Sequence, residues 1–189
     1  MLTIQKISIL LLSICFTGIT TAFHHDPVPA KARPMTAAEK SLYQKIMAYR
    51  KNKGLPEIKI SASLNKVAQM HAAELQADPP EGKCNMHSWT GRFGEKKCCY
   101  TDDHKEAACM WSKPSEFTSY QGEGFEIAAF NTAPNPDFLS GWQESPGHNA
   151  VIINEGIWQT HPWKAIGIGI SGTYAVAWFG ESADPEGDK

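Results

Sequence analysis

Apolar residues recur at every third or fourth position in two stretches of the first half of the chain, which is the spacing of an amphipathic helix. In the first stretch, Thr36 and Glu39 are spaced as a capping box, so we predict that the helix begins there. Lys53-Gly54 is predicted to end it ahead of Pro56. The apolar positions of this helix are Leu42, Ile46 and Tyr49.

The second stretch precedes the Pro79-Pro80 pair, and one position of its apolar stripe is a histidine. The stripe consists of Leu64, Val67, Ala68, His71 and Leu75. His71 therefore either lies at the edge of the core or belongs to a site. A lone histidine on an apolar helix face is usually structural, so we expect a structural role for His71.

The second half of the chain shows two helix start signals followed by alternating residue sizes. Asn135-Pro136-Asp137 predicts a short helix capped by Asn, and Ser145-Pro146 predicts the next helix, capped by Ser. From Ile166 to Phe179, large and small residues alternate on either side of a Ser-Gly-Thr turn, which predicts a β-hairpin. We expect one bulky face and one flat Gly/Ala face, which would let a helix approach closely. Helices ahead of a closing antiparallel hairpin predict an α+β fold with the sheet between helical layers.

The first residues of the chain have the features of a secretory signal peptide. They hold a single charge at Lys6, an apolar run from Ile7 to Phe16, and small residues up to Ala22. The apolar run is too short for a membrane anchor, so we predict cleavage and a secreted or periplasmic chain without a transmembrane segment. The predicted divisions are a signal peptide at 1–22, a flexible lead at 23–35, one domain at 36–181 and a loose acidic tail at 182–189.

Composition and charge narrow the class of protein further. The chain of 189 residues carries 18 Lys and Arg against 20 Asp and Glu, a formal charge of −2. This balance lacks the basic excess with which nucleic-acid binders contact phosphates, so nucleic acid is excluded as a partner. Hydrophobic residues make up 42% and charged residues 20%, which is typical of a globular domain with a packed core.

Removing the predicted signal peptide leaves four of the five cysteines, namely Cys84, Cys98, Cys99 and Cys109. An even number of cysteines in an oxidising compartment predicts disulfides. A bond between the adjacent Cys98 and Cys99 would be strained, so each is expected to bond either Cys84 or Cys109. The alternative is a zinc site made of all four thiolates, but the sequence does not contain the short C-x-x-C pairs typical of such sites.

Three segments hold side chains suited to metal binding or acid–base chemistry. His148 follows Ser145-Pro146 and lies in the first turn of a predicted helix. The positive end of the helix dipole favours the neutral imidazole there, which a metal ligand or general base requires. His87 follows the first of the four cysteines, and Glu123 and Glu126 lie beside glycines before the predicted helices of the second half.

Four motifs follow one another in a recognisable order. They are His87-Ser88, G-x-E-I-A-A at Gly124–Ala129, W-x-x-S-P-G-H-x-x-x-I-x-N at Trp142–Asn154, and the closing G-I-G-I and Y-A-V-A-W-F strands. This order resembles the CAP superfamily, the SCP domain of cysteine-rich secretory proteins, antigen 5 and plant pathogenesis-related proteins, in its bacterial form. The likeness runs from about Thr36 to Gly180, and it implies an α-β-α sandwich with a central antiparallel sheet and a cleft.

The resemblance also implies a set of cleft residues. In eukaryotic members the cleft holds two histidines and two acidic residues, which in some members bind zinc or another divalent cation. The histidines match His87 and His148, and the first acid matches Glu126, one position later than in the family pattern. The second family acid corresponds to Ser145 in this chain. The resulting predictions are the metal ligands His87, Glu126 and His148 and two possible further cleft acids, Glu123 and Glu144.

Two functions from different classes fit these expectations. The first is a secreted binding module whose cleft takes a small apolar ligand, a lipid or a peptide, or whose surface takes a protein partner. The alternative is a metal-dependent hydrolase in which His87, Glu126 and His148 hold Zn²⁺ and its bound water is the nucleophile. Ser145 fits a helix cap better than the nucleophile of a serine hydrolase, so no catalytic residue is assigned. The two histidines could instead order a polar core by hydrogen bonding.

Overall fold

Helices and short strands make up most of residues 36–180, and residues 32–187 are the part of the chain that this computed structural model describes. The predicted signal peptide and residues 23–31 of the predicted lead lie outside the described residues. In chain order the elements are α1 (Ala37–Asn52), β1 (Lys59–Ile60), α2 (Ala62–Ala77), α3 (Ala107–Trp111), α4 (Lys113–Phe117), β2 (Gly124–Phe130), α5 (Phe138–Glu144), α6 (Pro146–Ile153), a 3-10 turn (Gly156–Trp158), β3 (Ala165–Ser171) and β4 (Tyr174–Gly180).

The strands form a four-stranded sheet in the order β1-β3-β4-β2. β1 runs parallel to β3, whereas the β3–β4 and β4–β2 pairs are antiparallel. One face of the sheet packs on α1, α5 and α6, and the other packs on α2 and on the segment around α3. The predicted α+β fold, with the sheet between helical layers, is confirmed. Within residues 32–187, every helix is too short or too polar to cross a bilayer.

The β3–β4 hairpin differs from the predicted division into one bulky and one flat face. The two-residue turn at 172–173 sets a register in which Ile168 lies opposite Ala177 and Gly169 lies opposite Val176. Each face of the hairpin therefore combines large side chains from one strand with small side chains from the other. The prediction was wrong because it assigned faces by residue size, whereas the register assigns them by strand pairing.

Two glycines allow α2 to lie directly on β3. A Cβ added at Gly167 would collide with the backbone of Leu64, and one added at Gly169 would collide with the backbone of Ala68. The close approach of a helix to a glycine-containing strand is therefore confirmed. It also fixes the position of His71, which follows Ala68 by one turn of α2.

The predicted helix starts can be compared with the structure in two respects, the residue at which each helix begins and the side chain that caps it. α1 begins with both hydrogen bonds of the Thr36–Glu39 capping box. α5 begins at Phe138, so the predicted Asn135 cap is wrong. α6 begins at Pro146 as predicted, but the Ser145 side chain makes no capping hydrogen bond. Proline alone supplies the start signal here, because its fixed φ suits the first helical position.

Two disulfides, Cys84–Cys99 and Cys98–Cys109, confirm that each adjacent cysteine bonds outside the pair. All four cysteines are used, so the alternative of a zinc–thiolate site is wrong. The disulfides cross-link the segment 82–106, called the insert below, to itself and to α3. This segment carries little regular structure of its own, and the cross-links reduce the entropy that it would gain on unfolding.

Both ends of the described chain are bonded to the domain. Arg33, in the predicted flexible lead, forms an ion pair with Glu39 at 2.7 Å. In the predicted loose tail, Asp184 accepts hydrogen bonds of 2.6–2.8 Å from the Ser61 hydroxyl and from the amide and hydroxyl of Ser63, at the start of α2. The predictions of looseness are wrong for these residues. Arg33 is held by a carboxylate on the first turn of α1, and Asp184 is held by partners 121 and 123 residues away in the sequence.

Candidate functional site

A cleft of about 510 Å³ lies where α3 and α6 flank β2, the strand at one edge of the sheet. Aromatic and aliphatic side chains form most of its wall, and three imidazoles and one carboxylate interrupt that wall. The cleft is lined by His87, Tyr100, His104, Ala107, Met110, Trp111, Phe125, Glu126, Ile127, Ser145, Gly147, His148, Val151, Ile157 and Trp158.

Glu126 is the buried acid of the cleft, and both of its carboxylate oxygens accept hydrogen bonds from histidines. His71 donates from Nδ1 to one oxygen, and His87 donates from Nδ1 to the other at 2.7 Å. Burial would raise the pKa of the Glu126 carboxyl, but the charge and hydrogen bond of His71 and the hydrogen bond of His87 outweigh burial and lower the pKa. Glu126 therefore remains ionised at neutral pH inside the protein.

His71 is fully buried, and each of its ring nitrogens faces an acceptor. Nδ1 faces the Glu126 carboxylate, and Nε2 lies 3.0 Å from the carbonyl oxygen of Ser88. Since each acceptor requires an N–H group, the ring is an imidazolium. Burial would lower the pKa of His71, but the charge and hydrogen bond of Glu126 raise it. The ring also stacks on Trp89 with centroids 4.3 Å apart, an arrangement that stabilises a cation.

His87 and His148 face each other across the cleft, with ring centroids 6.3 Å apart. His87 uses Nδ1 for the bond to Glu126, so Nε2 is the nitrogen that it presents to a ligand. The His148 ring makes no hydrogen bond to any described residue. Burial and the neighbouring His87 lower the pKa of His148, so the ring is neutral at physiological pH. This agrees with the predicted neutral state, although burial is the main cause.

The structure brings His87, Glu126 and His148 into one cleft, but it engages Glu126 elsewhere. Imidazole N–H groups occupy both carboxylate oxygens, so Glu126 is not placed as a third ligand. Among residues 32–187, no group of three or more His, Cys, Asp or Glu side chains has the arrangement of a metal site. The two possible further acids, Glu123 and Glu144, are exposed and do not line the cleft.

The family model described as the cysteine-rich secretory protein family, CAP, matches residues 43–160. The chain belongs to the CAP family. The matched span includes α2, the insert, β2 and α6, so His71, His87, Glu126 and His148 are all part of the CAP domain. No curated protein matches the chain.

Solved bacterial structures share the fold of this CAP domain at low sequence identity. An outer surface protein from Borrelia burgdorferi is 22% identical with a TM-score of 0.52, over 79% of this chain and 96% of that one. A cysteine-rich secretory protein from Staphylococcus aureus is 18% identical with a TM-score of 0.51, over 79% and 41% of the two chains. An extracellular SCP-domain protein from Bacillus anthracis is 14% identical with a TM-score of 0.51, over 78% and 44%. This chain thus spans less than half of the latter two.

Sequence reasoning missed three residues of the CAP cleft and its surroundings. It assigned His71 a structural role, and it did not consider Tyr100 or His104 of the insert. The Tyr100 hydroxyl lies 2.8 Å from His104 Nδ1, and the Tyr100 ring contacts the His87 ring with centroids 5.2 Å apart. No periodicity or motif marks these two residues, because the fold of the insert depends on its disulfides and not on local spacing.

Proposed function

We propose that the protein is a secreted binding module whose cleft takes a ligand with an apolar body and a polar group that reaches His87 and His148. The observation that carries this proposal is a cleft whose aromatic walls lead to two histidines, His87, which Glu126 orients through a hydrogen bond, and His148, which faces it. Secretion is supported by the predicted signal peptide and by the two disulfides, since disulfides persist in oxidising compartments.

The chemistry of the wall favours an apolar body for the ligand. Small-molecule sites occupy roughly 300–1,000 Å³ and are mostly apolar with a few converging polar groups, which describes this cleft. Lysine and arginine do not occur among its lining residues, and Glu126 is its one carboxylate. Because His71 neutralises the Glu126 charge, the cleft presents no uncompensated charge to a ligand.

A divalent cation at the histidine pair is a second candidate, favoured by the free ring of His148. His87 Nε2 and the His148 ring are the two donors available, and neutral imidazole is a common ligand of zinc. Glu126 would then orient His87, as carboxylates behind metal-bound histidines commonly do. The hydrolase alternative needs three protein ligands on zinc. The observed contacts of Glu126 supply no third ligand, so the geometry supports binding better than hydrolysis.

Ligand binding in the cleft can be tested with a fluorescent apolar probe, N-phenyl-1-naphthylamine. A Cβ added at Gly147, on the cleft wall, or at Gly141, outside it, meets no atom within 4 Å, so tryptophan can be introduced at either position. We expect Gly147→Trp to weaken probe binding by about ten-fold or more, which corresponds to ~1.4 kcal/mol. Gly141→Trp should bind as the wild type does. Equal binding by both variants would contradict the proposal.

Metal binding needs its own experiment, because the cleft can bind a ligand without a cation. Isothermal titration of purified protein, free of affinity tags, with Zn²⁺ should show one site. His148→Ala should abolish it, and His161→Ala, a histidine outside the cleft lining, should not. Undiminished zinc binding by His148→Ala would remove the cation from the proposal and leave the apolar cleft to be judged by the probe.

A further inference from the structure

We infer that the ligand of the cleft carries two separate polar groups on its apolar body, a hydrogen-bond donor for His87 and an acceptor for His104. This inference rests on the proposed binding function and names the class of ligand. Both histidines line the cleft, and each has one ring nitrogen bonded to a neighbouring side chain. The partner of the bonded nitrogen decides whether the other nitrogen donates or accepts.

The His87 ring presents an acceptor to the cleft. Its Nδ1 donates to the Glu126 carboxylate at 2.7 Å, so in the neutral ring Nε2 carries the lone pair. Nε2 bonds to no residue in the described part of the chain. An ionised carboxylate has no proton to donate, and Glu126 therefore fixes this tautomer. The ligand group that pairs best with the His87 ring is a donor, such as a hydroxyl.

The His104 ring presents a donor, because its bonded nitrogen is an acceptor. Tyr100 is only 6% exposed, and within residues 32–187 its hydroxyl bonds to His104 Nδ1 alone, at 2.8 Å. If this buried hydroxyl did not donate its proton, that proton would be left unpaired. The Tyr100 hydroxyl therefore donates to Nδ1, and the proton of the neutral His104 ring lies on Nε2. The ligand group that pairs best with this ring is an acceptor, such as a carbonyl oxygen.

Tyr100 also separates the two imidazoles. Its ring meets the His87 ring edge-on with centroids 5.2 Å apart, and it meets the His104 ring edge-on with centroids 5.6 Å apart. Among the described residues, the His87 and His104 rings contact this phenol ring but make no ring contact with each other. The donor and the acceptor of the ligand therefore belong to different groups, several bonds apart on one apolar body.

The backbone of His104 supports a ligand-binding role for its side chain. His104 is exposed, and its φ of 57° lies in the left-handed region, which glycine adopts more readily than histidine. Asn154 is the other non-glycine residue with positive φ in the described chain, and its side chain bonds to Arg50 and to the carbonyl oxygen of His161. The His104 ring has no such structural role, since its hydrogen-bond partner is the hydroxyl that fixes its tautomer. Unfavourable backbone conformations concentrate at ligand-binding sites.

The test is competition with N-phenyl-1-naphthylamine at pH 8, where histidine is ordinarily neutral. The competitors are ω-hydroxy methyl esters of about six to ten carbons, which suit a cleft of about 510 Å³. They carry a hydroxyl donor at one end and a carbonyl acceptor at the other. Methyl esters of the same length lack the hydroxyl, and primary alcohols of the same length lack the carbonyl. We expect the best ω-hydroxy ester to compete about ten-fold better than either matched compound.

His104→Gly tests the contribution of His104 without straining the backbone, because glycine suits the left-handed conformation. The variant should lose the preference for the ω-hydroxy ester over the alcohol, since it lacks the donor for the carbonyl. It should keep the preference over the plain methyl ester, which depends on His87. His161→Ala, a change outside the cleft lining, should leave both preferences as in the wild type.

Long-range ¹H–¹⁵N NMR gives an independent measurement, in which the neutral His104 ring should carry its proton on Nε2. Absence of competition by every ω-hydroxy ester, equal competition by the matched compounds, a preference over the alcohol that survives His104→Gly, or a neutral His104 protonated on Nδ1 would each overturn the inference. If the probe still binds the wild type and not Gly147→Trp in those cases, the proposed function survives. Loss of that difference as well would contradict both.

Discussion

Replacing Glu126 with glutamine keeps the shape of the side chain and removes its charge. The carboxylate accepts from two imidazoles, whereas glutamine presents one acceptor oxygen and one NH₂ group. One of the two N–H groups, on His71 or on His87, would therefore face another donor. His71 would also lose its counter-charge while its side chain stays at 0% exposure.

The size of the effect follows from that burial. Removing one partner of a buried ion pair costs roughly 3–5 kcal/mol, because the other charge is left without compensation. His71 can release its proton and so relieve part of the cost, which places the expected value at the lower end. We expect Glu126→Gln to lower the free energy of unfolding by about 3 kcal/mol.

The pH dependence of this loss in stability provides a second test of the prediction. Stabilisation through Glu126 is present above its usual pKa of 4.5 and is lost as the pH falls through its lowered folded value. Stabilisation through His71 is present below its usual pKa of 6.5 and is lost as the pH rises through its raised folded value. The difference between wild type and Glu126→Gln should therefore be largest between pH 4.5 and 6.5.

Urea denaturation followed by tryptophan fluorescence, with the disulfides intact, measures this difference. Glu123→Gln is the matched control, since Glu123 is an exposed carboxylate on the same segment. It should stay within about 0.5 kcal/mol of the wild type. A loss of less than about 1 kcal/mol for Glu126→Gln at every pH would refute the buried ion pair.

Two further predictions test the elements that position the cleft. Gly169→Ala should lower the free energy of unfolding by about 1–3 kcal/mol, because its Cβ collides with the Ala68 backbone. Gly147→Ala, in open space, should be neutral or stabilising in the same urea experiment. Asp184→Asn should cost about 1 kcal/mol at neutral pH, as for a lost helix cap. Burial would raise the pKa of Asp184, but hydrogen bonds from Ser61 and Ser63 lower it. The cost should therefore vanish as acid protonates the wild-type carboxyl, and a pH-independent cost would contradict this role.

Local signals in the sequence were sufficient to predict where α1 and α6 begin and that a helix lies close to β3. The Thr36–Glu39 capping box and the Pro146 start depend on neighbours within one turn, and both are confirmed. The glycines of β3 predicted the close helix because a missing Cβ leaves room that only backbone can fill. The division of the hairpin into faces was not predictable from residue size, since it depends on which residues pair across the turn.

The candidate site was predictable only in part, for a related reason. His87, Glu126 and His148 were identified through the family resemblance, and the structure places all three in one cleft. Their hydrogen bonds were not predictable, because Glu126 bonds to a histidine 55 residues away on α2. The apolar stripe that contains His71 looks the same whether its histidine faces the core or a buried carboxylate. The hydrogen bonds of Asp184 were not predictable either, since its partners lie 121 and 123 residues away in the sequence.

The central claim is that a buried imidazolium, His71, holds Glu126, which in turn fixes His87 in the cleft. Long-range ¹H–¹⁵N NMR of protein labelled at its histidine ring nitrogens tests this claim most directly. At neutral pH, His71 should show both ring nitrogens protonated, and the neutral form of His87 should carry its proton on Nδ1. An unprotonated nitrogen on His71, or a His87 protonated on Nε2 alone, would contradict the account.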